Sequence, residues 1–76
     1  MEWRERIHSD SKILSGKPVV RRTRLSVEFL LRLFAAGWTE EQVLNNYPNL
    51  EREDLLAVFA YAAEAAQEER GLTLRR

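Results

Sequence analysis

The run Val27-Glu28-Phe29-Leu30-Leu31-Arg32-Leu33-Phe34-Ala35-Ala36-Gly37-Trp38-Thr39-Glu40-Glu41-Gln42 decides the fold. Its first ten residues read as one helix, and Gly37 stops it by taking the left-handed conformation that ends helices at little cost. Thr39 then stands where an N-cap belongs. Gln42, three positions on, completes a T-x-x-Q capping box, so a second helix starts at once. Val43, Leu44 and Tyr47 share one face of that short helix before Pro48 and Asn49 break it. A third helix carries residues 55–70. Helix, tight turn, short helix, turn, long helix predicts an all-α fold, a three-helix homeodomain-like (helix-turn-helix) unit over residues 26–70.

Upstream, residues 1–25 do not read as helix. Gly16-Lys17-Pro18 is a turn signal between two short β-prone runs, Ile13-Leu14 and Val19-Val20, and an extended chain beyond Val19 sets Val20, Arg22 and Arg24 on one side. A small β-hairpin or arm is expected, with Trp3 and Ile7 as apolar anchors. Isolated hairpins are marginal in water, so the arm must lie on the helices or on another chain. Downstream, residues 71–76 form a tail: Arg70 suits a last helical turn, Gly71 the residue after it, and Leu72-Thr73-Leu74 alternates like a short strand.

With 76 residues the chain makes one domain, of a size at which a single core is marginal without a further staple. It has no cysteine, which excludes disulfides, thiolate metal sites and cysteine nucleophiles, and its one histidine, His8, makes no metal site alone. No cofactor is expected, and a partner chain is the remaining common staple. No apolar run approaches a membrane span, and the N-terminal residues lack the apolar centre of a signal peptide, so a cytoplasmic protein is expected. Twelve basic and twelve acidic side chains cancel, but unevenly. Residues 1–25 carry seven basic and three acidic side chains, a net of +4, and the rest carry five and nine, a net of −4. Such opposite halves suit self-association or two different partners.

In helix one only Glu28 and Arg32 are polar, an i,i+4 pair in the favourable order, and apolar residues surround most of the circumference. A helix apolar all round must be covered on more than one side. A homodimer is therefore expected, with Phe29 and Leu33 of helix one and Phe59, Ala62 and Ala63 of helix three in its interface. Helix three would be the DNA-reading element, yet Glu51, Glu53, Asp54, Glu64, Glu68 and Glu69 stand there against Arg52 and Arg70, and phosphate repels that excess. The better contact for DNA, or for an acidic partner, is the basic group Lys17, Arg21, Arg22 and Arg24. Catalysis is not expected. His8, Ser9, Asp10 and Ser11 are sequence neighbours in a loop, which does not supply the mutual geometry of a catalytic set, and there is no glycine-rich phosphate loop or small-molecule site.

Several linked motifs in fixed order resemble domain-of-unknown-function family 433. They are Gly16-Lys17-Pro18-Val19-Val20, Thr23-Arg24-Leu25 followed by Val27, Ala36-Gly37-Trp38-Thr39-Glu40-Glu41-Gln42-Val43-Leu44, Tyr47-Pro48-Asn49-Leu50, Glu53-Asp54-Leu55 and Ala60-Tyr61-Ala62. The resemblance implies an antitoxin-like, VapB-type protein with a homeodomain-like fold, dimeric, encoded beside a nuclease-like toxin. By the same analogy the tail residues Leu72 and Leu74 are toxin contacts. Three positions depart from the family pattern: Arg22 stands for Gly, Ser26 for Pro and Glu51 for Thr or Ser. Arg22 argues against a left-handed backbone there, Ser26 can cap helix one, and Glu51 is a weak cap that Asn49 could replace. The expected function is an antitoxin that binds a toxin protein, the alternative a small DNA-binding regulator using the basic arm.

Overall fold

Ser26 opens helix α1 (Val27–Ala35) as the sequence predicts: its hydroxyl oxygen accepts a hydrogen bond from the Phe29 N–H at 2.9 Å. The helix ends at Gly37, whose φ of 99° is the left-handed conformation expected. Helix α2 (Glu40–Asn46) carries the full capping box, with the Gln42 N–H donating to the Thr39 hydroxyl at 3.1 Å and the Thr39 N–H donating to the Gln42 side chain at 2.8 Å. Helix α3 (Arg52–Gln67) begins three residues earlier than its apolar pattern suggests. The computed structural model describes residues 1–67, so Arg70 and the tail residues Leu72 and Leu74 lie outside the described residues.

The early start of α3 has a local cause. Asp54 accepts from the Glu51 backbone N–H at 2.8 Å, while the Asp54 N–H donates to the Glu51 carbonyl at 2.9 Å. This is the reach-back half of a capping box, and it makes Glu51 the cap in place of Asn49.

The arm is a two-stranded antiparallel sheet, a β component that the all-α description leaves out. Its strands are β1 (Ile7–His8) and β2 (Val19–Val20), with Ile7 opposite Val20 and His8 opposite Val19. The partner of Val19-Val20 is therefore not Ile13-Leu14. Those residues lead into a tight 3₁₀ turn, Leu14–Gly16, in which Leu14, Ser15 and Gly16 have φ of 50°, 58° and 85°. Three consecutive left-handed residues reverse the chain and leave it no extended backbone to pair.

Nor does the chain run extended beyond Val20. The Thr23 N–H donates to the Val20 carbonyl at 3.1 Å, the Val20 N–H to the Leu25 carbonyl at 3.0 Å, and Val19 bridges Ser26 in antiparallel fashion. The Thr23 hydroxyl fastens this loop, donating to the Val20 carbonyl and accepting from the Leu25 N–H. At its tip Arg22 has φ of 66°, so the left-handed backbone is present despite the arginine. The bonds on both sides of Arg22 fix the loop closely enough to hold it there.

The arm lies on the helices, as an isolated hairpin cannot stand alone. Ile7 and Val20 join Val27, Leu30, Val43, Leu50, Leu55, Ala57 and Val58 in one buried cluster, so both strands and all three α-helices contribute to the core. Farther out, the Trp3 indole N–H donates to Glu64 Oε1 at 2.8 Å, and the Trp3 ring meets Tyr61 edge-on at 4.8 Å. Arg6 donates to Asp54 at 2.9 Å and to Glu51 at 3.1 Å, joining the sheet to the cap of α3.

Candidate functional site

The four basic residues singled out in the arm do not form one patch. Lys17 and Arg24 line a largely apolar cleft of about 560 Å³ with Leu14, Leu25, Ser26 and Phe29. Arg21 and Arg22 line a smaller hollow of about 210 Å³ with Glu5, Arg6 and Asp54. The tight loop at residues 21–24 turns Arg22 and Arg24 to different hollows, where an extended arm would have aligned them.

Their electrostatic states differ as well. Lys17 Nζ lies 2.9 Å from Glu28 Oε1, and Arg32 lies 2.7 Å from the other oxygen of the same carboxylate. The Lys17 ammonium first, and then the Arg32 guanidinium, hold the Glu28 carboxyl down at about 2. Arg21 donates through its side chain to the Arg4 carbonyl at 3.2 Å, which turns its charge toward the segment before β1. Arg22 and Arg24 make no ion pair within the described residues.

The expected interface residues are also divided. Phe29 is 38% exposed and meets the Tyr47 ring edge-on at 5.8 Å, whereas Phe59, 42% exposed, meets Phe34 at 5.0 Å. Phe29 and Phe34 are five positions apart on α1 and so point about 140° apart. Leu33 is half-buried against the core, Ala62 is half-buried, and Ala63 is exposed. Two apolar surfaces result. One is the cleft beside Phe29; the other is a stripe on α3 formed by Leu56, Phe59 and Ala63 at helical spacing, next to Phe34.

Leu14 and Leu25 belong to the cleft although the arm's pattern marks only its charges. The Ser15-Gly16 dipeptide is a turn signal and was the available indication that Leu14 leaves the strand. No group of His, Asp or Glu among the described residues is arranged to hold a metal ion. No described helix is long and apolar enough to cross a membrane.

Comparison with known proteins agrees with the motifs. The profile of a family described as a protein of unknown function (DUF433) matches residues 7–62. The uncharacterized protein y4eO of Sinorhizobium fredii (strain NBRC 101917 / NGR234) is 39% identical over 59 residues, which is 78% of this chain. The matched stretch spans 27% of that longer protein. The crystal structure of a DUF433 member protein from Anabaena variabilis ATCC 29413 superimposes with a TM-score of 0.76 at 29% identity, covering 82% of this chain and 61% of that one. With the family profile matching from β1 into α3 and a member's crystal structure sharing the fold, the chain belongs to the DUF433 family.

Proposed function

We propose that this chain is a protein-binding module, the antitoxin-like half of a toxin–antitoxin pair, which acts in the cytoplasm by occluding a nuclease-like toxin. The observation that carries this reading is the surface of α3. Leu56 and Phe59 stand 37% and 42% exposed on a helix whose exposed Glu53 makes no ion pair within the described residues, a surface that suits protein contact and repels phosphate. The path of α1, α2 and α3 is read as homeodomain-like, with α3 in the place of a recognition helix but turned to protein binding. The related stretch in a much longer protein supports a unit that serves as a module. The test is co-expression with the product of the adjacent reading frame: the two should co-purify, and the toxin's nuclease activity should fall when they do. A neighbour that neither binds nor is inhibited removes the reading.

The same reading includes a homodimer through the α3 stripe and Phe34. Light scattering at micromolar concentration should report a dimer. Phe59→Glu should give a folded monomer, because Phe59 is exposed enough for the fold to survive the charge while an apposed copy would have to bury it unpaired. A folded monomer of the unaltered chain overturns it.

A second reading, a DNA-binding regulator, is favoured by the guanidinium groups of Arg22 and Arg24, which make no ion pair within the described residues and stand on an exposed loop. It is distinguished by a gel shift on the chain's own upstream DNA. In that case each lost phosphate contact lowers the salt slope by roughly one unit. It stands second because the arm is fastened at both ends, leaving no free strand to enter a groove, and zero net charge gives no long-range attraction.

A further inference from the structure

The cleft at the start of α1 combines features that no requirement of the fold explains. Its walls are Leu14 from the 3₁₀ turn and Leu25 and Phe29 from the loop and first turn of α1, and its volume of about 560 Å³ is that of a ligand-binding cleft. Leu14 is 40% exposed and Phe29 38% exposed, so both keep apolar surface in water at one place. Leu14 and Ser15 reach this position in left-handed conformations, which side-chain-bearing residues adopt only at a cost. The turn therefore holds Leu14 at the rim, where a relaxed chain has no cause to leave it.

The rim is cationic. Arg24 has no acidic partner within the described residues, and Lys17 lines the same cleft. No acidic residue lines the cleft, and Glu28, which Lys17 and Arg32 bridge, makes no pair with Arg24. An apolar floor under unpaired positive charge has a defined complement, an apolar side chain with a carboxylate beside it. A nucleic-acid backbone supplies the negative charge but nothing for the floor between Leu14 and Phe29.

We propose that this cleft is a docking groove for an acidic, apolar peptide segment of a partner protein. A large aliphatic or aromatic side chain enters between Leu14 and Phe29, and a neighbouring Asp or Glu pairs with Arg24, the cation of the rim that Glu28 does not hold. The proposal rests on the reading of the chain as a protein-binding module and names the surface and chemistry by which it holds its partner.

The test is selection of a phage-displayed random octapeptide library on the immobilised full chain, with chemical-shift mapping of the peptides recovered. Peptides that place an aromatic or large aliphatic residue next to Asp or Glu, and that shift the amides of Leu14, Ser15 and Arg24, support the groove. Two variants keep the fold intact while changing the site. Asparagine tolerates left-handed backbone, so Leu14→Asn retains the turn and removes the apolar wall. Arg24 makes no side-chain bond within the described residues, so Arg24→Glu changes only the charge of the rim. Each should weaken the selected peptides about tenfold or more, the worth of one charge-assisted hydrogen bond or one buried apolar group. Selection on Arg24→Glu should favour basic companions instead of acidic ones.

No enrichment, a basic consensus on the unaltered chain, or shifts confined to Leu56, Phe59 and Ala63 would overturn the groove. Self-association abolished by Leu14→Asn would also overturn it, by showing that a second copy fills the cleft. A protein from the adjacent reading frame that binds the Leu14→Asn, Arg24→Glu double variant as well as the unaltered chain removes the groove and leaves the module reading standing. Acidic, apolar peptides selected where no such protein binds remove the antitoxin reading and keep the groove.

Discussion

Two residues share a backbone conformation and predict opposite effects. Gly37 has φ of 99°, and a Cβ added there meets no heavy atom within 4 Å, so any cost of substitution comes from the backbone. Gly37→Val should destabilise by about 1–2 kcal/mol, because a β-branched residue is strained at positive φ. Arg22 holds φ of 66° with a full side chain. Arg22→Gly should therefore stabilise, by on the order of 0.5 kcal/mol once glycine's larger loss of chain entropy offsets part of the relief. Thermal melts of both variants should shift in opposite directions. A fall in melting temperature for Arg22→Gly would show that the arginine's contacts outweigh the strain.

At the scale of the elements, one carboxylate joins the arm to a helix. Asp54 is buried, caps α3 through the Glu51 N–H and accepts from Arg6, the residue just before β1. Asp54→Ala loses the reach-back bond and leaves Arg6 with only the exposed Glu51, for a cost of about 2 kcal/mol. Urea unfolding should show that loss, and Arg6→Ala combined with it should add less than the two single effects, since the residues share a bond. The starts of α1 and α2 and the stop of α1 were legible in the sequence because their signals are local: Ser26, Thr39 with Gln42, and Gly37 each act within three or four residues. Strand pairing is not local. Val19-Val20 presents the same β-prone pattern to Ile13-Leu14 and to Ile7-His8, and what decides between them is the left-handed turn at Leu14–Gly16. The candidate site was legible only in part for a related reason. Four basic residues within eight positions look like one patch, but the loop at residues 21–24, closed by Thr23, deals them to two different hollows.

Across the whole molecule, the basic first third and the acidic remainder meet in ion pairs, so the opposite halves first serve the fold itself. Lys17 pairs with Glu28, Arg4 with Glu64, and Arg6 with Glu51 and Asp54. Glu28 titrates at about 2 in the folded chain against 4.5 without its partners. A lowered folded value means that the stabilisation is present in full above about 4.5 and is lost as the pH falls through about 2. The Trp3 indole N–H, and after it Arg4, hold Glu64 below its ordinary value, and Arg4 lowers Glu2, so all three act in the same direction. Glu28→Gln should be less stable than the unaltered chain at neutral pH, with the gap closing on acidification and narrowing in high salt, because the groups are exposed. A gap that stays constant from neutral pH down to about 2 would show that the pairs with Lys17 and Arg32 contribute nothing to the fold.

The contact of Trp3 with Tyr61 and Glu64 joins residues some sixty positions apart, and so sets the segment before β1 on α3. Mechanically, this makes the domain a closed ring of contacts. A pull on the N-terminal segment is carried across the Trp3 clasp into the middle of α3, and through Ile7 and Asp54 into the core, so the arm cannot peel away strand by strand. Load applied at one end is shared by the whole unit, which then yields as one body or holds as one.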